Sequence, residues 1–204
     1  EIAQCLVGSE MCIRDRGTYA PGSTFKPVTA IAALETGIIT PKSTILTKGV
    51  YHYGDWAYKC WLYNQNGGTH GRIDVTEAIK VSCNYFFYDI GRRTGISTIA
   101  RYASAFGLGE PTGIEIPEKI GVMTTPDYVN SLDGHYWTDG QTLTAAIGQS
   151  YSLFTPLQLA NYAATLAGGG TRYNAHLLKE VRTYDSAEIV DAVSYTHLTL
   201  PTKL

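Results

Sequence analysis

The stretch YAPGSTFKPVTAIAALETG, residues 19–37, decides how the rest of the sequence is interpreted. A Pro-Gly turn signal comes first, and the apolar residues that follow have the spacing of a helix. Ser23 stands at the predicted start of this helix, Pro27 suits its first turn, and Gly37 is placed to end it. The segment therefore predicts a helix of about four turns that begins at a serine.

Ser23 and Lys26 are spaced to act together. Residues three apart lie on one face of a helix, so the two side chains can meet. A serine hydroxyl needs a neighbouring base, and a lysine amine can serve as that base once burial lowers its pKa. The helix start also favours negative charge that develops beside the Ser23 N–H. The tetrapeptide alone is a weak signal, since a capping serine followed by an exposed lysine gives the same pattern.

A second motif, Ser82-Cys83-Asn84, follows a short helix that Asp74 is expected to cap, with Glu77 in the capping-box position. Its loop can face Ser23, where Ser82 can relay a proton and Asn84 can hold a substrate amide or the lysine amine. Cys83 is interpreted as a small buried apolar residue. The alternative for the motif is a polar pair that merely breaks a helix.

The composition excludes several classes of protein. Of 204 residues, 44% are hydrophobic, which excludes a disordered tail. The 18 acidic and 16 basic residues nearly balance, so the chain lacks the excess of positive charge that is typical of nucleic-acid-binding proteins. No apolar run reaches about 18 residues, the length of a membrane-spanning helix. The histidines show no metal-ligand spacing, so neither a metal nor a cofactor is expected, and His70 is interpreted as a polar loop residue.

The remaining segments carry ordinary start and stop signals. The expectations, in chain order, are a loop region with short extended pieces over 38–80, a helix over 83–90 that stops near Gly91 or Gly95, a helix capped by Ser97 and closed by Gly107, extended structure over 110–123, a helix that starts at Thr155-Pro156 and ends at 168–170, and β-type stretches over 173–190.

Together these motifs resemble the penicillin-binding transpeptidases, for which Ser-x-x-Lys is the nucleophile motif. Residues 81–96, VSCNYFFYDIGRRTGI, resemble the family's second motif and the helix after it. GLGEPTGIEIPEK at 107–119 and AIGQSYSLFTPLQLANYAATLAGGG at 146–170 resemble segments of the class B, monofunctional members. The resemblance implies an α+β fold of the serine β-lactamase/D,D-transpeptidase type, of which this chain carries mainly the helical part.

The resemblance also implies a chemistry, with Ser23, Lys26, Ser82 and Asn84 as the catalytic residues. Ser23 would attack a stem peptide at the carbonyl of its penultimate D-alanine, Lys26 would take the proton, and an amine from a neighbouring stem would resolve the acyl-enzyme. The implied partners are stem peptides ending in D-Ala-D-Ala, β-lactams and, in the parent protein, a cell-wall polymerase. The implied location is the outer side of the cell membrane.

The family's third motif, Lys-[Ser/Thr]-Gly, is absent from the sequence, and Lys48-Gly49 is not a substitute for it. The chain is therefore expected to stop before that motif and to lack the C-terminal sheet strands. Expressed alone, it should be poorly soluble and inactive in cross-linking, because the missing strand binds the substrate carboxylate and supplies an oxyanion donor in the family.

Two other functions remain open. A serine β-lactamase needs a deacylating base, but Glu110, Glu115 and Glu118 stand in a setting that resembles the class B segment instead. A β-lactam sensor or a catalytically inactive homologue would be acylated without turnover.

The two ends of the sequence are related through the genetic code. Residues 10–15, EMCIRD, can be encoded by GAG ATG TGT ATA AGA GAC, and the reverse complement of that DNA encodes VSYTHL, which is residues 193–198. An inverted repeat of this kind resembles the adapter of a transposase-based sequencing library. Residues 1–16 and 193–204 are therefore predicted to be non-native segments flanking a partial transpeptidase domain at 17–192. The natural protein is expected to extend beyond both of these limits.

We predict that residues 1–16 and 193–204 share no core with the helix at 25–34, because unrelated sequence has no complementary surface there. A determined structure with Leu6, Ile13, Leu198 and Leu200 all buried in that core would contradict the prediction.

Overall fold

The computed structural model describes residues 17–185, 189–192 and 197–199. These residues contain eight α-helices and eight short strands. A 3-10 turn, Gly22–Phe25, leads into the first helix. The helices are α1 Lys26–Glu35, α2 Trp61–Asn66, α3 Val75–Lys80, α4 Asn84–Thr94, α5 Ile96–Ala105, α6 Pro126–Ser131, α7 Gly140–Ala146 and α8 Pro156–Ala167. The strands are β1 Ile45–Thr47, β2 Val50–Tyr53, β3 Trp56–Lys59, β4 Gly71–Ile73, β5 Thr171–Tyr173, β6 Glu180–Arg182, β7 Ile189–Ala192 and β8 His197–Thr199.

The strands pair two by two, and every pair is antiparallel. β1 pairs with β4, β2 with β3, β5 with β8, and β6 with β7. β2 and β3 form a hairpin whose last paired residues are Tyr53 and Trp56. Helices combined with small antiparallel sheets agree with the α+β class expected from the sequence.

The chain divides into two compact units. The helical unit contains residues 20–103 and 122–153, and the second unit contains the described residues of 1–19, 104–121 and 154–204. In the second unit α8 packs on β5, and the rings of Phe106 and Tyr162 meet edge to face with centroids 5.5 Å apart. The helical unit carries all four of the predicted site residues.

The core of the helical unit forms where α4 packs between α1 and α7. Phe86, Phe87 and Ile90 of α4 are fully buried there. Gly91, one position later, lies against Ala146 of α7 so closely that a Cβ at position 91 would overlap the Ala146 side chain. This glycine therefore sets the distance between the two helices.

Several predicted helix limits are confirmed. Asp74 caps α3 by accepting a hydrogen bond from the Glu77 N–H at 2.9 Å. Thr155 and Gln158 form a complete capping box at the start of α8. The helix predicted over 83–90 is α4, which runs on to Thr94 and ends at Gly95.

Other predicted limits are wrong. Ser23 caps no helix: it lies within the 3-10 turn, and α1 begins at Lys26. Ser97 lies inside α5, which already begins at Ile96. The segment 110–123 forms no strand and makes only a single bridge, between Val122 and Leu153.

Three short helices received no prediction: α2, α6 and α7. α2, inside the predicted loop region, has six residues and none of them is buried, so it lacks the apolar stripe that a sequence pattern could reveal.

The prediction for the two ends lies outside the described residues, with the exception of 197–199. These residues form β8, which pairs with β5 in the second unit. The non-native origin of the ends stays a prediction. Among the described residues, no helix is both long and apolar enough to span a membrane.

We predict that Gly91→Ala lowers the free energy of unfolding by about 1–3 kcal/mol, the usual cost of overpacking a core. The added methyl must push α4 away from α7. Urea unfolding followed by circular dichroism measures the change.

The matched control is Gly91→Ala combined with Ala146→Gly, which moves the methyl from one helix to the other. Recovery of at least half of the lost stability is expected. A single variant as stable as the wild type would show that the two helices do not meet closely here.

Candidate active site

Lys26 is the buried centre of the site. Its side chain is 2% exposed, and its ammonium donates three hydrogen bonds. The acceptors are the Ser82 carbonyl oxygen at 2.8 Å, Ser82 Oγ at 2.8 Å and Asn84 Oδ1 at 2.7 Å. Three acceptors match the three protons of an ammonium group, so the loop at 82–84 is fixed to α1 through one side chain.

Ser82 connects Lys26 to the exposed hydroxyl of Ser23. Ser82 Oγ donates to Ser23 Oγ at 3.0 Å, while it accepts from Lys26 Nζ. Ser23 and Lys26 share no hydrogen bond, so the direct contact expected from their spacing is replaced by contact through Ser82. The arrangement is a hydrogen-bonded chain from Ser23 through Ser82 to Lys26.

The backbone at Ser82 is strained in order to place this hydroxyl. Ser82 has φ of 52°, a left-handed conformation that is uncommon for residues other than glycine. α3 ends at Lys80, two residues before it, and Cys83 caps α4 immediately after it by accepting from the Phe86 N–H. Two helix ends hold the residue in this conformation, and strain of this kind is commonly found at functional sites.

Gly148, just after α7, supports the turn that carries Ser23. The Gly22 N–H donates to the Gly148 carbonyl oxygen at 2.8 Å. Gly148 has φ of 74°, and a Cβ there would overlap the Gly22 carbonyl oxygen. Thr29 adds a second link by donating to the Ala146 carbonyl oxygen at 2.8 Å. Sequence reasoning assigned Gly148 no role, although its segment was part of the family resemblance.

Burial tunes the amine of Lys26. Desolvation lowers the pKa of Lys26 from 10.5 to about 8, and the nearby thiols of Cys60 and Cys83 act in the opposite direction. The Lys26 ammonium also lies 5.6 Å from the centre of the Phe87 ring. A lysine with this pKa is partly neutral near physiological pH, which is what a general base requires.

A second cluster lies beside the 82–84 loop. Cys60, His70 and Cys83 place their ligand atoms within 4.8 Å of one another, and His70 Nδ1 is 3.7 Å from Cys60 Sγ. His70 Nε2 is buried without a hydrogen-bond partner. The hydrogen bond between the two thiols lowers the pKa of Cys60 and raises that of Cys83.

Two thiols and an imidazole are a donor set that suits zinc. These residues can therefore hold a metal ion. The sequence did not predict this site, because its histidines show no metal-ligand spacing and His70 was interpreted as a polar loop residue. The signal available in the sequence was the one histidine between Cys60 and Cys83, and the fold was needed to bring the three together.

The three glutamates considered as a deacylating base are engaged within the second unit. Glu110 accepts from Ser104 Oγ at 2.7 Å, and Glu118 accepts from Thr112 Oγ1 at 2.8 Å. Glu115 accepts from the Leu177 N–H, which lowers the pKa of Glu115 to about 2. Each of the three carboxylates therefore accepts a hydrogen bond from a neighbouring group of the second unit.

Comparison with known proteins gives consistent matches. Residues 14–199 match the family described as penicillin binding protein transpeptidase domain. The peptidoglycan D,D-transpeptidase MrdA of Salmonella typhimurium is 35% identical over 171 residues, which are 80% of this chain and 26% of the relative. Its namesake in Haemophilus influenzae is 31% identical over 91% of this chain and 28% of its own length.

Solved structures match as well. Pseudomonas aeruginosa PBP2 in complex with WCK 5153 is 30% identical with a TM-score of 0.78, over 94% of this chain and 41% of that one. The complex between PBP2 and MreC from Helicobacter pylori matches at 27% identity with a TM-score of 0.75, over 89% of this chain and 33% of that one. The chain thus spans about a quarter of the length of the curated relatives it matches.

We predict that burial of Lys26 makes stability depend on pH. Between pH 8 and 10.5 the unfolded chain holds a proton on Lys26 that the folded chain has lost, so the free energy of unfolding should rise with pH. One proton gives at most about 1.4 kcal/mol per pH unit. Urea unfolding at a series of pH values measures the slope.

Lys26→Met should remove this part of the slope, because no proton is then bound at that position in either state. Lys42→Met, at an exposed loop position, is the control for loss of one positive charge. Equal slopes for the wild type and Lys26→Met would contradict the prediction.

Proposed function

We propose that this chain, which belongs to the penicillin-binding protein transpeptidase domain family, forms the nucleophile-bearing part of a peptidoglycan D,D-transpeptidase active site. The observation that carries this proposal is the hydrogen-bonded chain from Ser23 through Ser82 to Lys26. It supplies a nucleophile and a buried base whose pKa is lowered, the two parts that acyl transfer needs.

The family and the fold class expected from the sequence are confirmed. The structural matches extend over about nine tenths of the chain, and they are penicillin-binding proteins. Since the chain spans only about a quarter of its curated relatives, the activity, substrates and partners of the whole protein belong to the proposal.

The proposed reaction begins with neutral Lys26. The Ser23 oxygen attacks the carbonyl carbon of the penultimate D-alanine, its proton passes to Ser82 Oγ, and Ser82 passes its own proton to Lys26 Nζ. As the tetrahedral intermediate collapses, the C–N bond breaks and the departing D-alanine amine takes a proton back along the same path. The product of this half-reaction is an ester on Ser23.

The second half-reaction reverses the roles. The neutral amine of a neighbouring stem peptide attacks the ester, the Ser23–carbonyl bond breaks, and the proton lost by the amine returns to Ser23 through Lys26 and Ser82. In the proposed reaction, the N–H of Ser23 donates to the oxyanion in both steps. Asn84, which accepts a hydrogen bond from Lys26, orients the amine.

The remaining proposals follow from the family. β-Lactams acylate Ser23 as substrate mimics, and the full-length protein works at the outer face of the cell membrane with a cell-wall polymerase. Related proteins support a partner: one solved match has MreC bound, and another is described as a peptidoglycan synthase complex that coordinates polymerization and crosslinking.

We predict that the full-length protein is labelled covalently by a fluorescent penicillin at Ser23. Ser23→Ala should abolish labelling, since no other group accepts the acyl chain. Lys26→Ala should slow acylation by about 10²–10⁴-fold, the usual loss when a general base is removed. The rate in the wild type should rise with pH around 8, as Lys26 becomes neutral. Gel fluorescence and peptide mapping by mass spectrometry provide the measurements.

Ser131→Ala, an exposed serine on α6, is the control and should be labelled normally. Labelling that survives Ser23→Ala would refute the assignment of Ser23 as the nucleophile. A near-normal acylation rate in Lys26→Ala would refute the assignment of Lys26 as the general base. Acylation without any cross-linking of stem peptides would favour the sensor over the transpeptidase.

A further inference from the structure

A cavity of about 540 Å³ lies in the helical unit between the β2–β3 hairpin and the start of α7. The residues that line it include three aromatic ones, Tyr53, Trp56 and Tyr58, and two acidic ones, Asp55 and Asp139. The volume is within the range of sites that bind small molecules. None of these five residues belongs to the hydrogen-bonded chain at Ser23.

The chemistry of the wall is unusual for an open surface. Trp56 is 73% exposed at the hairpin tip, although an indole ring of this size gains much from burial. Asp55 and Asp139 are exposed, and neither carboxylate has a hydrogen bond or an ion pair among the described residues. The cavity therefore combines exposed aromatic faces with two uncompensated negative charges.

The shape of the cavity depends on the backbone at two glycines. The hairpin tip turns at Gly54, which has φ of 57° and carries the chain between Tyr53 and Trp56. At the opposite wall, Gly140 lies so close to Tyr58 Oη that a Cβ would overlap the phenol oxygen. Gly54 thus permits the tight turn of the hairpin, and Gly140 permits the Tyr58 ring to approach the start of α7.

From this wall we infer that the cavity binds a primary ammonium group carried on a peptide. Aromatic faces attract organic cations through their quadrupoles, and carboxylates accept hydrogen bonds from ammonium protons. The identity of the peptide rests on the proposed function. If that function holds, the peptide is a stem peptide of the acceptor strand.

The position of the cavity gives it a docking role. Thr144 lines the cavity, and Gly148, whose carbonyl oxygen accepts from the Gly22 N–H, lies four positions later, just after the end of α7. The cavity and the Ser23 turn thus lie toward opposite ends of α7. An ammonium that binds carboxylates is protonated and cannot attack an ester. The bound ammonium therefore belongs to a different stem peptide of the acceptor strand from the one whose neutral amine attacks, and the cavity recognises the strand without taking part in the reaction.

Binding can be tested without the chemistry. The protein is the full-length chain with Ser23→Ala, and the probe is Nα-acetyl-lysine amide. Its twin acetylated on Nε as well is the neutral control ligand. Titration followed by NMR of the Trp56 indole N–H should show saturable shifts with the charged probe and weaker or no shifts with the neutral twin. Binding should weaken as salt is raised.

Variants assign the binding to the cavity. Trp56→Ala and the double change Asp55→Asn with Asp139→Asn should each weaken binding by at least about twofold, the lower end of a cation–π contribution at an exposed site. The Trp56→Ala variant is followed by calorimetry, because it lacks the reporter. Asp127→Asn removes an exposed carboxylate on α6, outside the cavity, and should leave the affinity unchanged.

The outcomes separate this inference from the proposed function. Equal affinity for the charged and neutral probes, or variants that bind like the wild type, would overturn the cavity assignment even if penicillin labels Ser23 normally. Charge-dependent binding that the double aspartate variant loses supports the assignment, even if Ser23 fails to react with penicillin.

Discussion

The structure around the site depends on one buried lysine. An ammonium group in the interior is costly unless its protons are all accepted, and Lys26 finds its three acceptors on one short loop, from Ser82 and Asn84. The requirement works in both directions. The loop compensates the charge of α1, and the lysine fixes a loop whose Ser82 is held in a strained left-handed conformation.

The same burial that threatens stability produces the chemical property that the site needs. Desolvation lowers the pKa of Lys26 to about 8, so that a neutral amine becomes available next to a hydroxyl that can carry a proton from Ser23. A better solvated lysine would stabilise the domain but would stay charged at the working pH. Stability given up at an active site in return for activity is a common compromise in enzymes.

Glycines then set the distances that the polar contacts require. Gly91 allows α4 to approach α7, and Gly148 allows the chain after α7 to approach the Ser23 turn. Since Thr29 also donates to the Ala146 carbonyl oxygen, α1 and α7 are linked by a hydrogen bond as well as by packing. α7 thus lies between the turn that carries Ser23 and the cavity beside Trp56, and it contributes to both.

Features that depend on short-range patterns could be predicted from the sequence. Caps and glycine stops gave the limits of α3, α4 and α8, and the spacing of Ser23 and Lys26, with Ser82 and Asn84 further along, indicated the four residues that meet at the site. Short elements such as α2 carry no such pattern, because none of its six residues is buried and it has no buried face to reveal. Three arrangements are visible only in the folded chain: Ser82 lies between Ser23 and Lys26, His70 lies beside Cys60 and Cys83, and Trp56 lines a cavity together with Asp139. These contacts join residues far apart in the chain, and their geometry is set by how closely helices pack, which local sequence does not encode.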